Sequence, residues 1–212
     1  MKDERLTRWE PLFARVFTIV DDLQARGTPL LRWSFGGGTA LMLTLSHRVS
    51  KDVDIFVPDP SALGYVSPRL NDTVESLTGD YIESALFTRL VFAEGEIDFI
   101  AAAPLIVRPW ANQQILGRDV LVETPAEILA KKIRYRADEF KARDIFDVAL
   151  TIKRLPLVAD EIAPWLAQKR VALLKRLDVA EARLREDFDA IDRIDTSMNF
   201  DDCVRTLRDA IG

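Results

Sequence analysis

The segment from Phe35 to Phe56, FGGGTALMLTLSHRVSKDVDIF, constrains the fold of this 212-residue chain more than any other stretch. Asp52 and Asp54 are two residues apart, so on a strand both carboxylates leave by one face of the sheet. Val53 and Ile55 then leave by the opposite face. The pattern predicts a strand with one apolar face in the core and one face that carries two carboxylates.

These two carboxylates need a compensating positive charge. Two negative charges at ~4 Å repel by roughly 4 kcal/mol at an effective dielectric of about 20. Oxygen ligands of this kind suit Mg²⁺, which keeps several waters and usually shares its coordination shell with substrate phosphates. Asp52 and Asp54 are therefore candidate metal ligands, and Mg²⁺ is the expected metal.

A glycine turn precedes the acidic strand. Residues 30–35 are predicted to form a short apolar strand, and Gly36, Gly37 and Gly38 follow it before a helix that begins near Thr39. Backbone without Cβ atoms beside a helix N-terminus can approach a phosphate and donate N–H groups to it. A glycine triplet alone is also typical of a simple turn, so the phosphate interpretation depends on the acidic strand that follows.

The order of strand, glycine turn, helix and D-x-D strand resembles the nucleotidyltransferase superfamily of DNA polymerase β. Gly37-Gly38 and Asp52-Val53-Asp54 match its Gly-Gly or Gly-Ser turn followed by paired acidic residues. The resemblance implies an α+β fold. We therefore expect a polymerase β-like core, a mixed sheet with flanking helices, followed by a C-terminal helical bundle.

Two longer motifs resemble the AbiEii/AbiGii family, the nucleotidyltransferase toxins of type IV toxin–antitoxin pairs. The first is GGTAL at residues 37–41 followed by HRxSxDxD at residues 47–54, and the second is the segment 127–147. The resemblance implies transfer of a nucleoside monophosphate from an NTP to an acceptor hydroxyl, with Mg²⁺ as cofactor. It points to RNA as the acceptor, with a tRNA 3′ end as one candidate, and to a cognate antitoxin as a candidate partner.

The same resemblance implies roles for individual residues. The expected nucleotide contacts are Gly37, Gly38, Thr39, Arg48, Ser50, Lys132 and Arg136. The expected catalytic residues are Asp52, Asp54, Asp98 and Asp144, of which the first three are also the expected metal ligands. His47, the only histidine, is expected to position Arg48 and Ser50 rather than to move protons.

Two of these carboxylates also have purely structural interpretations. Asp98 lies between apolar residues on a predicted strand, and this position also suits a solvent-facing carboxylate on an edge strand. Asp144 could instead pair with Lys141 or Arg143 on a solvated helix face. The sequence alone leaves both alternatives open.

A short basic segment lies on the helices that follow. Lys132 and Arg136 are one i, i+4 step apart and share a helix face, but the neighbouring Lys131 leaves the rotation of this helix open. We expect an RNA end to contact the whole segment. Its members are Lys131, Lys132, Arg134, Arg136, Lys141 and Arg143.

Composition limits the classes of function. A net charge of −5 does not suit a protein that coats nucleic acid, so any RNA contact must be local. One cysteine, Cys203, and one histidine exclude a Cys/His zinc site and an internal disulfide, and they fit a reducing cytoplasm. The apolar run 99–107 is too short to span a bilayer, and the charged segment 1–10 lacks the apolar core of a signal peptide, so no membrane partner is expected.

Hydrophobic periodicity predicts the remaining elements. A helix is expected at 9–25, a hairpin at 81–92 and 96–102, a strand at 119–123, and a helix capped by Thr124 and begun by Pro125. Further helices are predicted at 126–139, 141–153, 158–167, 169–191 and 200–211. We predict two domains, a nucleotidyltransferase core with an N-terminal helix at 1–124 and a helical domain at 125–212.

Two other functions stay open at this stage. One is a nucleotidyltransferase that modifies a small molecule or a protein, as in antibiotic adenylylation. The other is a catalytically silent binding module of the same fold. Asp52, Asp54 and Asp98 argue against a silent module, because a binding module has no need of three carboxylates that repel each other.

Overall fold

The computed structural model describes residues 3–30 and 32–212, and within these residues seven strands form one mixed sheet. Leu31, inside the predicted strand 30–35, lies outside the described residues, as do the first two residues of the charged N-terminal segment. No helix in the described part of the chain is both long enough and apolar enough to cross a bilayer.

The chain divides into two compact units. The first contains residues 1–40, 50–104 and 110–123, and the second contains residues 41–49, 105–109 and 124–212. The longest segment of the second unit therefore begins at Thr124, next to the predicted domain change, while two short segments join that unit from the N-terminal half.

The sheet belongs to the first unit, and its strand order is β3-β4-β5-β2-β1-β7-β6. The pairs β2–β5 and β1–β7 are parallel and the other pairs are antiparallel, which confirms the predicted mixed sheet. The strands are β1 (Ser34–Gly36), β2 (Val53–Val57), β3 (Tyr81–Glu83), β4 (Phe87–Phe92), β5 (Gly95–Ala101), β6 (Trp110–Ile115) and β7 (Arg118–Glu123).

Helices accompany the sheet and dominate the C-terminal part of the chain. The α-helices are α1 (Glu10–Ala25), α2 (Gly37–Leu45), α3 (Asp72–Leu77), α4 (Pro125–Arg136), α5 (Ala142–Arg154), α6 (Leu157–Val179), α7 (Glu181–Asp189) and α8 (Phe200–Ile211). Short 3₁₀ helices cover Glu4–Thr7, Pro60–Val66 and Ala137–Glu139. The predicted C-terminal helices are thus present.

The core of the first unit forms between α1 and the sheet. Leu12, Phe13 and Val16 of α1 are buried, as their i, i+3, i+4 spacing predicts. The ring centroid of Phe13 lies 4.7 Å from that of Phe35 on β1, in an edge-to-face arrangement. The alternating apolar residues of β2 complete this core.

The hairpin that follows differs from its prediction in two ways. The predicted strand 81–92 is two strands, β3 and β4, separated by a turn at 84–86. β4 and β5 are joined by the two-residue turn Ala93-Glu94, so β5 starts at Gly95, one residue earlier than predicted. The strand β6 was not predicted, because its exposed residues Asn112, Gln113 and Gln114 lack an apolar alternation.

In the second unit, the predicted cap of α4 is confirmed, since the Thr124 hydroxyl accepts a hydrogen bond from the Glu127 N–H at 3.3 Å. The predicted division of residues 158–191 near residue 168 is wrong. α6 runs without a break through Pro164, and the chain leaves the helix at Ala180. The helix continues past residue 168 because residues 167–170 contain no glycine or proline that would interrupt it.

Candidate functional site

Four residues line up across four neighbouring strands of the first unit. The register pairs Arg89 on β4 with Asp98 on β5, Asp98 with Asp54 on β2, and Asp54 with Gly36 on β1. Residues paired in this way share a face of the sheet. We call Arg89, Asp98, Asp54 and Gly36 the strand row.

Asp54 behaves as its sequence position predicts. It is partly exposed, while its neighbours Val53 and Ile55 are fully buried on the opposite face of β2. The pairing with Asp98 puts the third predicted carboxylate beside Asp54 on the same face of the sheet. Asp98 lies on an inner strand between β2 and β4, so the edge-strand interpretation does not apply to it.

The start of α2 lies directly against the Asp54 carboxylate. Gly37 is the first residue of α2 and has φ +67°, a conformation that favours glycine. A Cβ atom on Gly37 would lie 1.8 Å from Asp54 Oδ2, so the Asp54 side chain would have to move to admit any other residue. The N-terminus of a helix carries a partial positive charge, so this contact stabilises a negative charge on Asp54.

Asp52 lies one residue before β2, and hydrogen bonds hold it on both sides. Its Oδ1 accepts a hydrogen bond from the Glu96 N–H at 3.1 Å, and its carbonyl oxygen accepts one from the Thr39 hydroxyl at 2.5 Å. The Thr39 hydroxyl also lies 3.0 Å from that of Ser50. Thr39 and Ser50 thus position the segment that leads into the acidic strand, and their contact with a nucleotide stays a prediction.

Asp98 forms an ion pair that the sequence analysis did not predict. Arg89 donates to both of its oxygens, with Nε to Oδ1 and Nη2 to Oδ2 at 2.7 Å each. The third guanidinium nitrogen, Nη1, lies 3.0 Å from Glu96 Oε2. The hydrogen bonds with Asp98 raise the pKa of Arg89 despite its partial burial, and the charges of Asp98, Glu96 and Asp54 raise it further.

The donor chemistry of the strand row fits a divalent cation such as Mg²⁺. Asp54 and Asp98 offer carboxylate oxygens side by side, and because Gly37 has no Cβ atom the Asp54 carboxylate can lie against the start of α2. Within residues 3–30 and 32–212, however, no group of three His, Cys, Asp or Glu side chains is gathered closely enough to hold a metal ion. In this arrangement Arg89 binds the Asp98 carboxylate, and the Glu96 N–H donates to the Asp52 carboxylate.

The second unit contains a separate group of charged side chains, which we call the buried charge cluster. Its members are His47, Arg48, Lys132, Asp144 and Asp147, all of them buried. Arg48 binds both oxygens of Asp147, with Nε to Oδ1 at 2.7 Å and Nη2 to Oδ2 at 2.9 Å. His47 Nε2 lies 2.8 Å from Oδ1, and Lys132 Nζ lies 3.1 Å from Oδ2.

Asp144 forms the other half of this cluster. Lys132 Nζ donates to its Oδ1 at 2.5 Å, and Arg136 Nη1 lies 3.8 Å from the same oxygen. Its Oδ2 accepts a hydrogen bond from the Lys141 backbone N–H at 3.2 Å and thereby caps α5. Asp144 is fully buried, so the alternative of a solvated face is wrong.

The cations of the cluster keep both carboxylates ionised. Burial by itself would raise the pKa of Asp147, but the charges of Arg48 and Lys132 outweigh it and hold that pKa well below its usual range. Burial would likewise raise the pKa of Asp144, but Lys132 and Arg136 outweigh it and lower that pKa. Arg48 and Lys132 therefore stabilise a buried pair of negative charges.

Lys131 and Lys132 take different partners although they are neighbours on α4. Lys131 Nζ lies 3.3 Å from Oε1 of the buried Glu127, one helical turn earlier. Glu127 also accepts hydrogen bonds from the backbone N–H groups of Leu105 and Ile106 at 3.0 to 3.1 Å. Lys132 is thus the lysine of the buried charge cluster, and its contact with a nucleotide stays a prediction.

Sequence reasoning missed Arg89 and Asp147. Both had a signal in the sequence. Arg89 lies opposite Asp98 when the hairpin is closed by the two-residue turn Ala93-Glu94. Asp147 follows Asp144 at i+3 in RDIFD, so the two carboxylates lie on one face of a helix.

Comparison with solved structures shows the fold. A candidate nucleotidyltransferase from H. pylori has a TM-score of 0.54 at 15% identity and covers 100% of this chain and 94% of its own. JHP933 from Helicobacter pylori has a TM-score of 0.53 at 16% identity, with 99% and 91% covered. MenT4, a nucleotidyltransferase toxin from Mycobacterium tuberculosis, has a TM-score of 0.49 at 18% identity, with 98% and 87% covered. The first two likenesses confirm the predicted fold class.

Comparison at the level of sequence families shows more than the fold. The family model described as nucleotidyl transferase AbiEii toxin, type IV TA system, matches residues 22–211, which is most of the chain. No curated protein is significantly similar in sequence. The match confirms the resemblance predicted from the two motifs, and with it the prediction of a nucleotidyltransferase. The chain belongs to the AbiEii family of nucleotidyltransferase toxins of type IV toxin–antitoxin systems.

Proposed function

We propose that this chain transfers a nucleoside monophosphate from an NTP to a hydroxyl group of RNA, in a reaction that depends on Mg²⁺. The observation that carries the proposal is the pairing of Asp54 with Asp98 on one face of the sheet, with the Asp54 carboxylate against Gly37 at the start of α2. In a chain of this family, two paired carboxylates beside a helix N-terminus suit chemistry at a phosphate.

The proposed reaction exchanges one phosphorus–oxygen bond for another. A bond forms between the acceptor oxygen and the α-phosphorus, and the bond from that phosphorus to the bridging oxygen of the β-phosphate breaks. Pyrophosphate leaves with the electron pair, and Asp98 is proposed to take the proton of the acceptor hydroxyl. Asp52, Asp54 and Asp98 are proposed to hold Mg²⁺, which would supply positive charge to balance the negative charge of the phosphates.

The nucleotide contacts follow from the helix start and from the cations. Gly37 and Gly38 are proposed to donate backbone N–H groups to the phosphates from the first turn of α2. Arg136, whose side chain is 41% exposed, is a partly accessible cation at the end of α4 and is proposed as a further phosphate contact. Lys132 and Arg48 are also proposed as phosphate contacts. Lys132 binds Asp144 and Arg48 binds Asp147, so each would have to share its positive charge between a carboxylate and a phosphate.

The RNA acceptor is proposed to contact a reduced form of the predicted basic segment. Lys131 and Lys132 are buried and hold carboxylates, so they are not surface contacts. Of the other four members, Arg134 and Arg136 are half-buried, and Lys141 and Arg143 are exposed. These cations are enough to contact a few phosphates of an RNA end. Because the protein is acidic overall, the proposed RNA contact is confined to this segment.

The experiment incubates the protein with Mg²⁺, each labelled NTP in turn and total tRNA. We expect label to move onto RNA with at least one NTP. Asp54→Asn should lower this transfer by about 100-fold or more, because removing an outer-shell partner of a metal site already costs 10- to 100-fold. Asp21→Asn, an exposed change in the same unit, is the matched control and should leave transfer unchanged.

The other candidate functions are outcomes of the same experiment. Label on the protein itself or on an added small alcohol, with RNA unlabelled under every NTP, would reject the RNA acceptor and favour a small-molecule or protein nucleotidyltransferase. Failure to transfer label to any acceptor, together with failure to bind Mg²⁺-NTP in a titration, would favour a silent binding module.

A further inference from the structure

Arg89 binds both oxygens of Asp98, and Asp98 would need these oxygens to bind a metal ion. It lies beside Asp98 in the strand row, and its fork takes both Asp98 oxygens at 2.7 Å. A bidentate guanidinium–carboxylate pair of this kind is a strong, directional contact. The Asp98 side chain is only 14% exposed, so little water competes with Arg89 for it.

The surroundings make Arg89 a permanent cation within an acidic patch. Glu96 and Asp98 are two residues apart on β5 and face Arg89 together, with Nη1 at 3.0 Å from Glu96. Asp54 is the neighbour of Asp98 in the strand row. One guanidinium therefore neutralises part of the negative charge of three carboxylates when no metal is bound.

A divalent cation at the same carboxylates would meet this guanidinium at close range. Two positive charges that share one carboxylate repel each other, and each weakens the hold of the carboxylate on the other. Arg89 is also 34% exposed at its side chain, so it can turn toward solvent when a stronger cation arrives.

We propose that Arg89 competes with the divalent cation for Asp98 and thereby lowers the affinity of the site for the metal. The inference rests on the proposed function, because it takes Asp54 and Asp98 as the metal ligands. Arg89 holds the strand row together while the metal is absent, and it releases Asp98 when the metal binds. It is a positioning residue that acts through Asp98.

The experiment measures binding of Mn²⁺ alone to the full-length protein, by electron paramagnetic resonance of the free ion, without nucleotide. Arg89→Gln should bind Mn²⁺ more tightly than the wild type, on the order of tenfold, the size of effect that outer-shell partners have on metal sites. Loss of packing or of fold would weaken binding, so only removal of a competitor produces a gain. Unchanged or weaker Mn²⁺ binding by folded Arg89→Gln would overturn the proposal.

Two further variants define the source of the gain. Arg118→Gln is the matched control, since Arg118 makes a two-bond ion pair with the exposed Asp21 in the same unit, and its Mn²⁺ affinity should equal that of the wild type. In the double variant with Asp98→Asn, Arg89→Gln should no longer increase the affinity. A gain that persists without the Asp98 charge would overturn the role of Asp98 as the shared ligand.

The result also separates this inference from the proposed function. If the wild type binds Mn²⁺, Asp54→Asn abolishes the binding and Arg89→Gln brings no gain, only the role of Arg89 is rejected. If neither the wild type nor any variant binds Mn²⁺ up to millimolar concentration, the metal site and this inference are rejected together. Should Arg89→Gln fail to fold, Arg89→Lys, which keeps the charge but loses the fork, must still show a smaller gain, and its absence would overturn the proposal.

Discussion

Single residues of the buried charge cluster depend on one another. Asp147 has Arg48, His47 and Lys132 on its two oxygens, and all four side chains are buried. Removing one partner from a buried ion pair leaves an uncompensated charge and typically costs roughly 3–5 kcal/mol. Substitutions in this cluster are therefore expected to lower the stability of the protein, so stability must be measured together with activity.

The two adjacent lysines of α4 should respond differently to the same change. Lys132→Met removes a cation from Asp144 and Asp147, so we expect a loss of roughly 3–5 kcal/mol in the free energy of unfolding together with weaker NTP binding. Lys131→Met should cost less, because Glu127 keeps its two backbone donors. Urea unfolding and an NTP titration of both variants decide it. Equal losses would mean that the two lysines do not differ in role, and a larger loss for Lys131→Met would mean that their roles are reversed.

The depressed pKa of Asp147 predicts how stability depends on pH. Its pKa in the folded protein lies below the unfolded value of 3.8, so the stabilisation is present above pH 3.8 and is lost as the pH falls toward the folded pKa. Asp147→Asn, although less stable, should show a shallower fall in the free energy of unfolding below pH 3.8, by up to about 1.4 kcal/mol per pH unit.

The control for this pH series is Asp201→Asn. The hydrogen bond from Arg185 lowers the pKa of Asp201, but this carboxylate is exposed, so solvent screens the ion pair and its contribution to stability is small. Urea unfolding at a series of pH values should give this variant nearly the slope of the wild type. A wild-type slope for Asp147→Asn as well would show that Asp147 does not carry the acid sensitivity.

At the scale of elements, the start of α2 and the strand β2 depend on each other. Gly37 opens the helix with a positive φ, and the Asp54 carboxylate of β2 fills the space where a Cβ atom would be. The adjoining Gly36 is equally confined, since a Cβ atom there would lie 2.3 Å from Glu123 Oε2 on β7. Glycine at these two positions therefore lets the Asp54 carboxylate of β2 and the Glu123 carboxylate of β7 lie close to the backbone of residues 36 and 37.

A pair of glycine substitutions isolates this contact. Gly37→Ala and Gly27→Ala both place alanine at a positive φ, +67° and +75°, which costs roughly 1–2 kcal/mol in each. Only Gly37→Ala also collides with Asp54, so it should lose at least about 1 kcal/mol more in urea unfolding and should lose nucleotidyl transfer. Equal losses in stability would mean that the Asp54 carboxylate moves aside without cost.

At the scale of the whole molecule, an acidic protein is expected to contact RNA through few cations. The net charge is −5, and four of the six residues of the predicted basic segment are at least partly exposed. Few surface cations release few counterions from a bound strand. RNA binding should consequently be local and only moderately sensitive to salt.

The salt dependence of RNA binding tests this number of contacts. Four phosphate contacts on a single strand, at about −0.7 each, predict a slope of log K against log[salt] no steeper than about −3. Lys141→Ala should make the slope shallower by about 0.7, whereas Lys175→Ala, exposed on α6, should leave it unchanged. A much steeper wild-type slope in a fluorescence titration would show that RNA contacts a wider surface.

Local patterns in the sequence were enough to predict several parts of the site. The alternation around Asp54, the glycines next to the start of α2 and the Thr124 cap depend only on neighbours a few residues apart, although α2 begins at Gly37, two residues before the predicted start. Their periods, two for a strand and 3.6 for a helix, can be read along the chain. The two motifs likewise identified the family from short segments, as the match over residues 22–211 confirms.

The tertiary structure decided which charged residues meet. A strand that began at Glu96, after a three-residue turn, would have put Phe99 rather than Asp98 opposite Arg89, because a slip of one residue turns every side chain to the other face. Arg48 and Asp147 are 99 residues apart in the chain, and no periodicity links them. By itself the sequence determined most of the elements and the residue types of the site. Strand register and long-range packing decided that Asp98 would be held by Arg89 and Asp147 by Arg48.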